Sequence, residues 1–334
     1  MDLRSALNHV YSANEDEYIA AQYGKGGMTT IDSGPESTVW KLTLAYDGTE
    51  FHGWQVQPGR ATVQGALSDA VASVTGERVM PQGSGRTDAG VHAWGQVASF
   101  SLRAAIPAEN FQRALNRILP AAVRVRSAEH ASPDFHARHS AIGKVYQYRI
   151  FHGRVCSPFL ARYVTRCRWP LDLDAMRQSA IAILGEHDFT SFAASDPDRA
   201  ARAGREIEYI ADARESGLRS NVRRIDLSEW SREVLPHPSP GLFAAMASRS
   251  EVEFRDATGQ GREGEADAGE IFTYTVRGNG FLHHMVRNLV GTFVEVGRGR
   301  MAASEIQRIL DGRSRALAGP TAAANGLCLM KVLY

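Results

Sequence analysis

The stretch GSGRTDAGVHAWGQVASF, residues 83–100, requires a loop to run directly into a sheet. Glycines at 83, 85 and 90 weaken a helix or strand interior but permit positive φ and close backbone approach. Residues 83–90 therefore read as a loop. From Gln96 to Phe100 polar and apolar residues alternate with the period of a half-buried strand. The loop is anchored to a rigid element, where catalytic groups usually sit. At its centre is Asp88, with Arg86 two residues before it.

An aspartate with an arginine at this spacing has two readings. In one, the two form a local ion pair that holds a turn. In the other, the arginine keeps the carboxylate ionised in a water-poor cleft, because a neighbouring positive charge lowers an acid's pKa while burial raises it. A desolvated but ionised carboxylate is a usable nucleophile. The string alone leaves both open.

With 334 residues the chain can bury a core sufficient for one large domain or two moderate ones. No apolar run approaches the roughly 18 residues of a membrane span, and the first residues lack the apolar core of a secretory signal. Cys156, Cys167 and Cys328 are far apart and lack CxxC spacing, so neither a disulfide framework nor a cysteine zinc site is expected. A reducing cytoplasm fits them. The net charge of +1 hides an asymmetry. Residues 113–168 carry ten arginines and one lysine against Glu129 and Asp134, whereas residues 1–37 carry six acids against Arg4 and Lys25. The basic segment suits phosphates.

In chain order, residues 1–38 read as an extension that buries little. Trp40, Leu42, Leu44 and Tyr46 alternate as a strand, and Thr62 is a helix N-cap before Val63, Leu67, Val71 and Val74. Pro107 opens a helix with Phe111, Leu115 and Ile118 on one face, and Val123 and Val125 lie on a strand. Residues 145–150 alternate as a strand that carries Tyr146, which by propensity alone is a core residue. Asp172 or Asp174 caps a helix with Leu173, Met176, Ile181 and Leu184, stopped by Gly185. His187 and Asp188 cap and turn, and Arg199, Arg202 and Arg205 lie in a polar stretch. A loop insertion is expected within 231–269, followed by a strand from Ile271 to Val276. Phe281, Met285, Leu289 and Phe293, four apart, predict a largely buried helix. On it His283, His284 and Arg287 share a narrow polar stripe. A buried arginine needs an acidic partner, and Asp88 is the candidate. Adjacent histidines on a helix point apart, so no metal site is expected.

GRTDAGVHA, residues 85–93, resembles the active-site signature of the TruA family of tRNA pseudouridine synthases. YDGTEFHGWQVQP with TVQGAL, FHAR with KVYQY, HDFTSF, the arginine-bearing helix and the terminal GPTAAANGLCLMKVLY resemble further blocks of that family. They appear in the family's order over residues 39–334, with 231–269 excepted. The resemblance implies an α+β pseudouridine synthase fold. Two related half-domains, 39–140 and 141–334, would share a mixed, mostly antiparallel sheet flanked by helices, with a basic cleft between them. It implies conversion of uridine to pseudouridine in the anticodon stem-loop of tRNA, at positions 38 to 40, by a cytoplasmic homodimer that uses no cofactor. Asp88 is then the catalytic residue, Arg86 holds the flipped nucleotide, Tyr146 packs on the uracil, and Arg287 pairs with Asp88.

Two other classes compete. A non-catalytic RNA-binding protein would use the same basic cleft and treat Asp88 as a turn residue. A glycosidase would need a second carboxylate, and the signature block supplies only Asp88.

Overall fold

A computed structural model of the chain describes residues 37–194, 221–235 and 269–334. The expected extension up to residue 36, Arg199, Arg202 and Arg205, and residues 236–268 of the expected insertion lie outside the described residues. The described elements, in chain order, are β1 (Thr38–Tyr46), α1 (Val63–Thr75), β2 (Gln82–Gly83), β3 (His92–Leu102), α2 (Ala108–Ile118), β4 (Val123–His130) and β5 (Gly143–His152). They continue with α3 (Pro158–Ala161), β6 (Thr165–Cys167), α4 (Leu173–Ile181), β7 (Gly185–Asp188) and β8 (Val222–Val234). The last are β9 (Glu270–Gly278), α5 (Met285–Gly297), α6 (Glu305–Gly312) and β10 (Leu327–Leu333). Among the described residues no helix is long and apolar enough to cross a membrane.

The described residues divide into two compact units, one running up to Val145 and taking in Cys328–Tyr334, the other lying within Tyr146–Leu327. The last strand thus belongs with the first unit although it follows the second in sequence.

In the first unit the strands run in the order β4-β1-β3-β10. The β1–β3 and β1–β4 ladders are antiparallel, β10 joins β3 in parallel, and the short β2 pairs with β3. β1 forms as its alternation requires: Trp40, Leu42, Leu44 and Tyr46 are all buried. The Trp40 ring meets Phe111 of α2 edge-on at 4.7 Å. α1 starts where Thr62 accepts a hydrogen bond from Gly65 N and stops at Gly76 in the left-handed region.

Three expectations are corrected here. β3 begins at His92 rather than Gln96; its residues are buried in succession and not alternately, and β1 and β10 pair with its two edges. Its polar residues are satisfied internally: Ser99 Oγ accepts from Ala137 N at 2.9 Å. Gly83 lies in β2, packed under Trp54, and not in a loop. Ile118, the last residue of α2, is exposed while Phe111 and Leu115 carry the core.

In the second unit the order is β5-β9-β8-β7, with β6 parallel to β5. The β7–β8 and β8–β9 ladders are antiparallel. Each unit is thus a mixed, mostly antiparallel sheet with helices packed on it, the α+β class expected. Trp230, Tyr274 and Phe293 form the aromatic core, with ring centroids 5.0 Å apart for the first pair and 5.3 Å for the second. Asp172, not Asp174, caps α4, accepting from Asp174 N and Ala175 N at 3.0 Å. That helix ends at Ile181, which is exposed like Leu184, and Gly185 opens β7 instead of stopping the helix. At the start of the 231–269 window, residues 231–234 extend β8 against β9 as far as Val234.

Candidate active site

In the first unit the Asp88 loop rests on a network of buried polar side chains. Ser84 Oγ donates to Gln96 Oε1 at 2.7 Å, and Gln96 Nε2 donates to Gly85 O at 2.9 Å and to the Tyr46 hydroxyl at 3.4 Å. The Tyr46 hydroxyl lies 2.8 Å from Thr87 Oγ1. Ser84, Gln96, Tyr46 and Thr87 are all buried, so each lost partner would leave an unsatisfied group costing about 1–3 kcal/mol. Burial pushes the Tyr46 phenol above its usual range, and the hydrogen bonds with Thr87 and Gln96 act the other way. It remains a neutral strut.

The backbone is fixed on both sides of Asp88. Trp54 N donates to Thr87 O at 3.0 Å, Gly90 N to Phe51 O at 3.3 Å, and Val91 N to Asp88 O at 3.1 Å, closing a turn. Gly90 takes φ +78°, the conformation that lets this turn close next to the carboxylate. Asp88 is half-buried and Arg86 is exposed. Asp47, on the adjoining 47–54 segment, is occupied: its Oδ1 accepts from Thr49 N at 3.0 Å and from Thr49 Oγ1 at 2.5 Å.

Sequence reasoning passed over Lys144. Its ammonium group stands where a Cβ at position 85 would come within 2.8 Å, so a second cation borders the loop. The same reading missed Ser84, Thr87 and Gln96. Of these only Gln96, a polar residue between buried neighbours on β3, carried a signal in the sequence.

The FHAR loop is held as firmly. His136 Nδ1 accepts from Arg138 N at 3.1 Å and His139 N at 3.3 Å, and Tyr334 donates to Ala137 O at 2.8 Å. Burial first, then the charges of His139 and Arg138, lower the His136 pKa. A neutral imidazole suits an acceptor role. Arg138 itself is exposed.

In the second unit Tyr146 lies on β5 with Tyr148 and Ile150 on the same buried face. Its ring meets Phe281 edge-on at 5.2 Å. Arg287, half-buried, stands in the first turn of α5, where Nε donates to Ala322 O at 2.7 Å and its carbonyl accepts from Ala322 N at 3.1 Å. The expected helix start is corrected. Phe281 and Leu282 precede α5, and His284 takes φ 58° in the left-handed region. The two histidines are therefore not on the helix, and the polar stripe with Arg287 does not form there. Their rings lie against each other instead, with centroids 3.9 Å apart and planes tilted by 33°. Burial raises the Tyr148 phenol to about 12, with the Thr165 hydrogen bond and the Arg287 charge pulling it down.

Two cavities of about 410 and 370 Å³ open in this unit, and neither is lined by Tyr146 or Arg287. As expected, Asp188 caps and turns: its Oδ1 accepts from Thr190 N at 3.0 Å. It also pairs with Arg313 at 3.2 Å.

Comparison with known proteins gives this arrangement a family. A family model described as tRNA pseudouridine synthase matches residues 43–140 and 180–334. The chain is 42% identical to "tRNA pseudouridine synthase A" of Solibacter usitatus over 88% of its own length and 98% of the relative's. It is 40% identical to the protein of that name from Moorella thermoacetica, with the same coverage, and 37% to that from Brevibacillus brevis. With a family model spanning both units and relatives of this identity matched almost end to end, the chain belongs to the tRNA pseudouridine synthase family.

Proposed function

We propose that this chain isomerises uridine to pseudouridine in the anticodon stem-loop of tRNA, at positions 38 to 40, with Asp88 as the catalytic residue. The observation that carries the reading is a half-buried carboxylate, the only acid within residues 83–100, on a loop whose neighbours on both sides are pinned by buried hydrogen bonds. Such pinning holds a reacting group in place without reorganisation.

The reaction breaks the N1–C1′ glycosidic bond, turns the uracil, and joins C5 to C1′. The C5 proton leaves and N1 regains one, so the change is a net isomerisation. It consumes no water and no redox equivalent. Whether Asp88 attacks C1′ or assists departure of the base, the step needs one anionic oxygen at that carbon. A base stacked in the anticodon arm is out of reach, so the nucleotide must be swung out. Arg86, exposed beside Asp88, holds it there, Tyr146 packs on the uracil, and Arg287 pairs with Asp88. Arg138, on its anchored loop, contacts the RNA backbone. The enzyme works as a homodimer in the cytoplasm.

The test is incubation with tRNA tritiated at uracil C5, followed by mapping of pseudouridine. Tritium release with pseudouridine at positions 38 to 40 is the expected result. Binding without release would favour a non-catalytic RNA-binding protein, and free uracil among the products would favour a hydrolase.

A further inference from the structure

Trp94 stands six residues after Asp88, on β3 of the same unit, and its side chain is 54% exposed, whereas Trp40, Trp54 and Trp230 are buried. An exposed indole, here as at Trp169, leaves a π-face open that burial would close. The Arg126 guanidinium lies over the ring, 4.3 Å from its centroid. It is fixed there by a hydrogen bond from Nη1 to the carbonyl of Trp94 itself at 2.9 Å. The arginine is thus a held layer of a cationic stack and not a mobile surface charge. A charged group across the ring makes a dry apolar protein partner unfavourable, because the charge would lose its water. The same pair matches a nucleotide, whose base has a π-face and whose phosphate is an anion. Six residues of extended chain span at most about 20 Å, which keeps Trp94 within a few nucleotides of whatever Asp88 reacts with.

We infer that Trp94 and Arg126 form a stacking platform for an unpaired nucleobase of the tRNA substrate, outside the reacting uridine. The inference rests on the reading of the chain as a tRNA-modifying enzyme, and it assigns the platform to binding, not to chemistry. Trp94 takes the base on its open face, and Arg126 keeps the indole oriented and draws the neighbouring phosphate. Stacking of this kind is sequence-tolerant, so the platform would secure the strand and leave the choice of uridine to the site around Asp88.

The test compares Trp94→Ala, Trp94→Phe and Arg126→Ala with the unmodified protein, using whole tRNA as the probe. Binding by filter retention, kcat and KM for tritium release, and tryptophan fluorescence during titration are measured. Loss of the ring is expected to weaken tRNA binding and raise KM about tenfold with kcat unchanged, and Trp94→Phe should recover most of that. The fluorescence quenched by tRNA should shrink in both Trp94 variants. Unchanged binding and KM in Trp94→Ala, with the unmodified protein active, would overturn the inference. So would a change of oligomeric state in that variant at unchanged tRNA affinity, which would make the ring a protein contact. If the unmodified protein bound tRNA but released no tritium, the proposed activity would fall. A binding loss in Trp94→Ala would still support the platform.

Discussion

Thr87 places its hydroxyl 2.8 Å from the phenol of Tyr46, bridging 41 positions of sequence and tying the residue before Asp88 to the end of β1. Both side chains are buried, and the same phenol receives Gln96 Nε2. The carboxylate thereby inherits the rigidity of a sheet although it sits on a loop.

Tyr46→Phe removes that strut while keeping the ring. Thr87 and Gln96 each lose a buried partner, so unfolding free energy should fall by about 1–3 kcal/mol. Turnover should drop as well, because the loop that carries Arg86 and the proposed catalytic Asp88 loosens. Urea denaturation and steady-state tritium release check the two effects. An active, equally stable variant would show that the strut does not position the loop.

Gly291→Ala tests how the Arg287 turn is held. A Cβ at 291 would stand inside the carbonyl of Pro320, and the 319–322 segment also presents the Ala322 groups that bond Arg287. Backbone cannot yield as a side-chain tip does, so the variant should lose roughly 3 kcal/mol or more. Activity should fall even in the fraction that folds, because the partner of Arg287 is displaced. Thermal denaturation with parallel turnover on the soluble protein decides this. A wild-type melting temperature would contradict the packing described.

A pH dependence follows from the buried phenols. Burial raises Tyr46 and Tyr274 above the usual tyrosine range, and raises Tyr148 to about 12, with hydrogen bonds opposing in each case. An unfolded phenol titrates near about pH 10, so above that pH the folded state binds more protons than the unfolded one. The stabilisation is complete below about pH 10 and is lost as the pH rises toward each folded value. Phenolate absorbance of these residues should therefore appear together with loss of circular dichroism. Ionisation of all three in a still-folded protein would contradict the burial.

Much of the first unit was legible in the sequence, because β1 keeps strict alternation and α1 carries its own cap and stop in Thr62 and Gly76. β8 was not. A bulge between Ile225 and Leu227 shifts its parity, so Ile225 faces inward at odd positions and Ser228 and Trp230 at even ones. No single period describes such a strand, and its last four residues are all exposed. The start of α5 was misplaced for another reason. Phe281 and Leu282 fit the helical period, but the left-handed turn at His284 is set by tertiary contacts, such as that of Ala194 N with His283 O at 3.0 Å, which periodicity does not contain. The candidate site divides the same way. Asp88 and Arg86 announce themselves by their loop, whereas Lys144 and Gln96 are brought to it only by the fold, and Thr87, though next to Asp88, shows its part only once Tyr46 of β1 stands opposite it.

The most direct measurement is tritium release and tRNA binding by Asp88→Asn, which keeps the shape of the side chain and removes its anionic oxygen. The account predicts that release falls by at least about a thousandfold while the tRNA dissociation constant stays within roughly threefold of the unmodified protein's. Release at the normal rate from a correctly folded Asp88→Asn protein would contradict it.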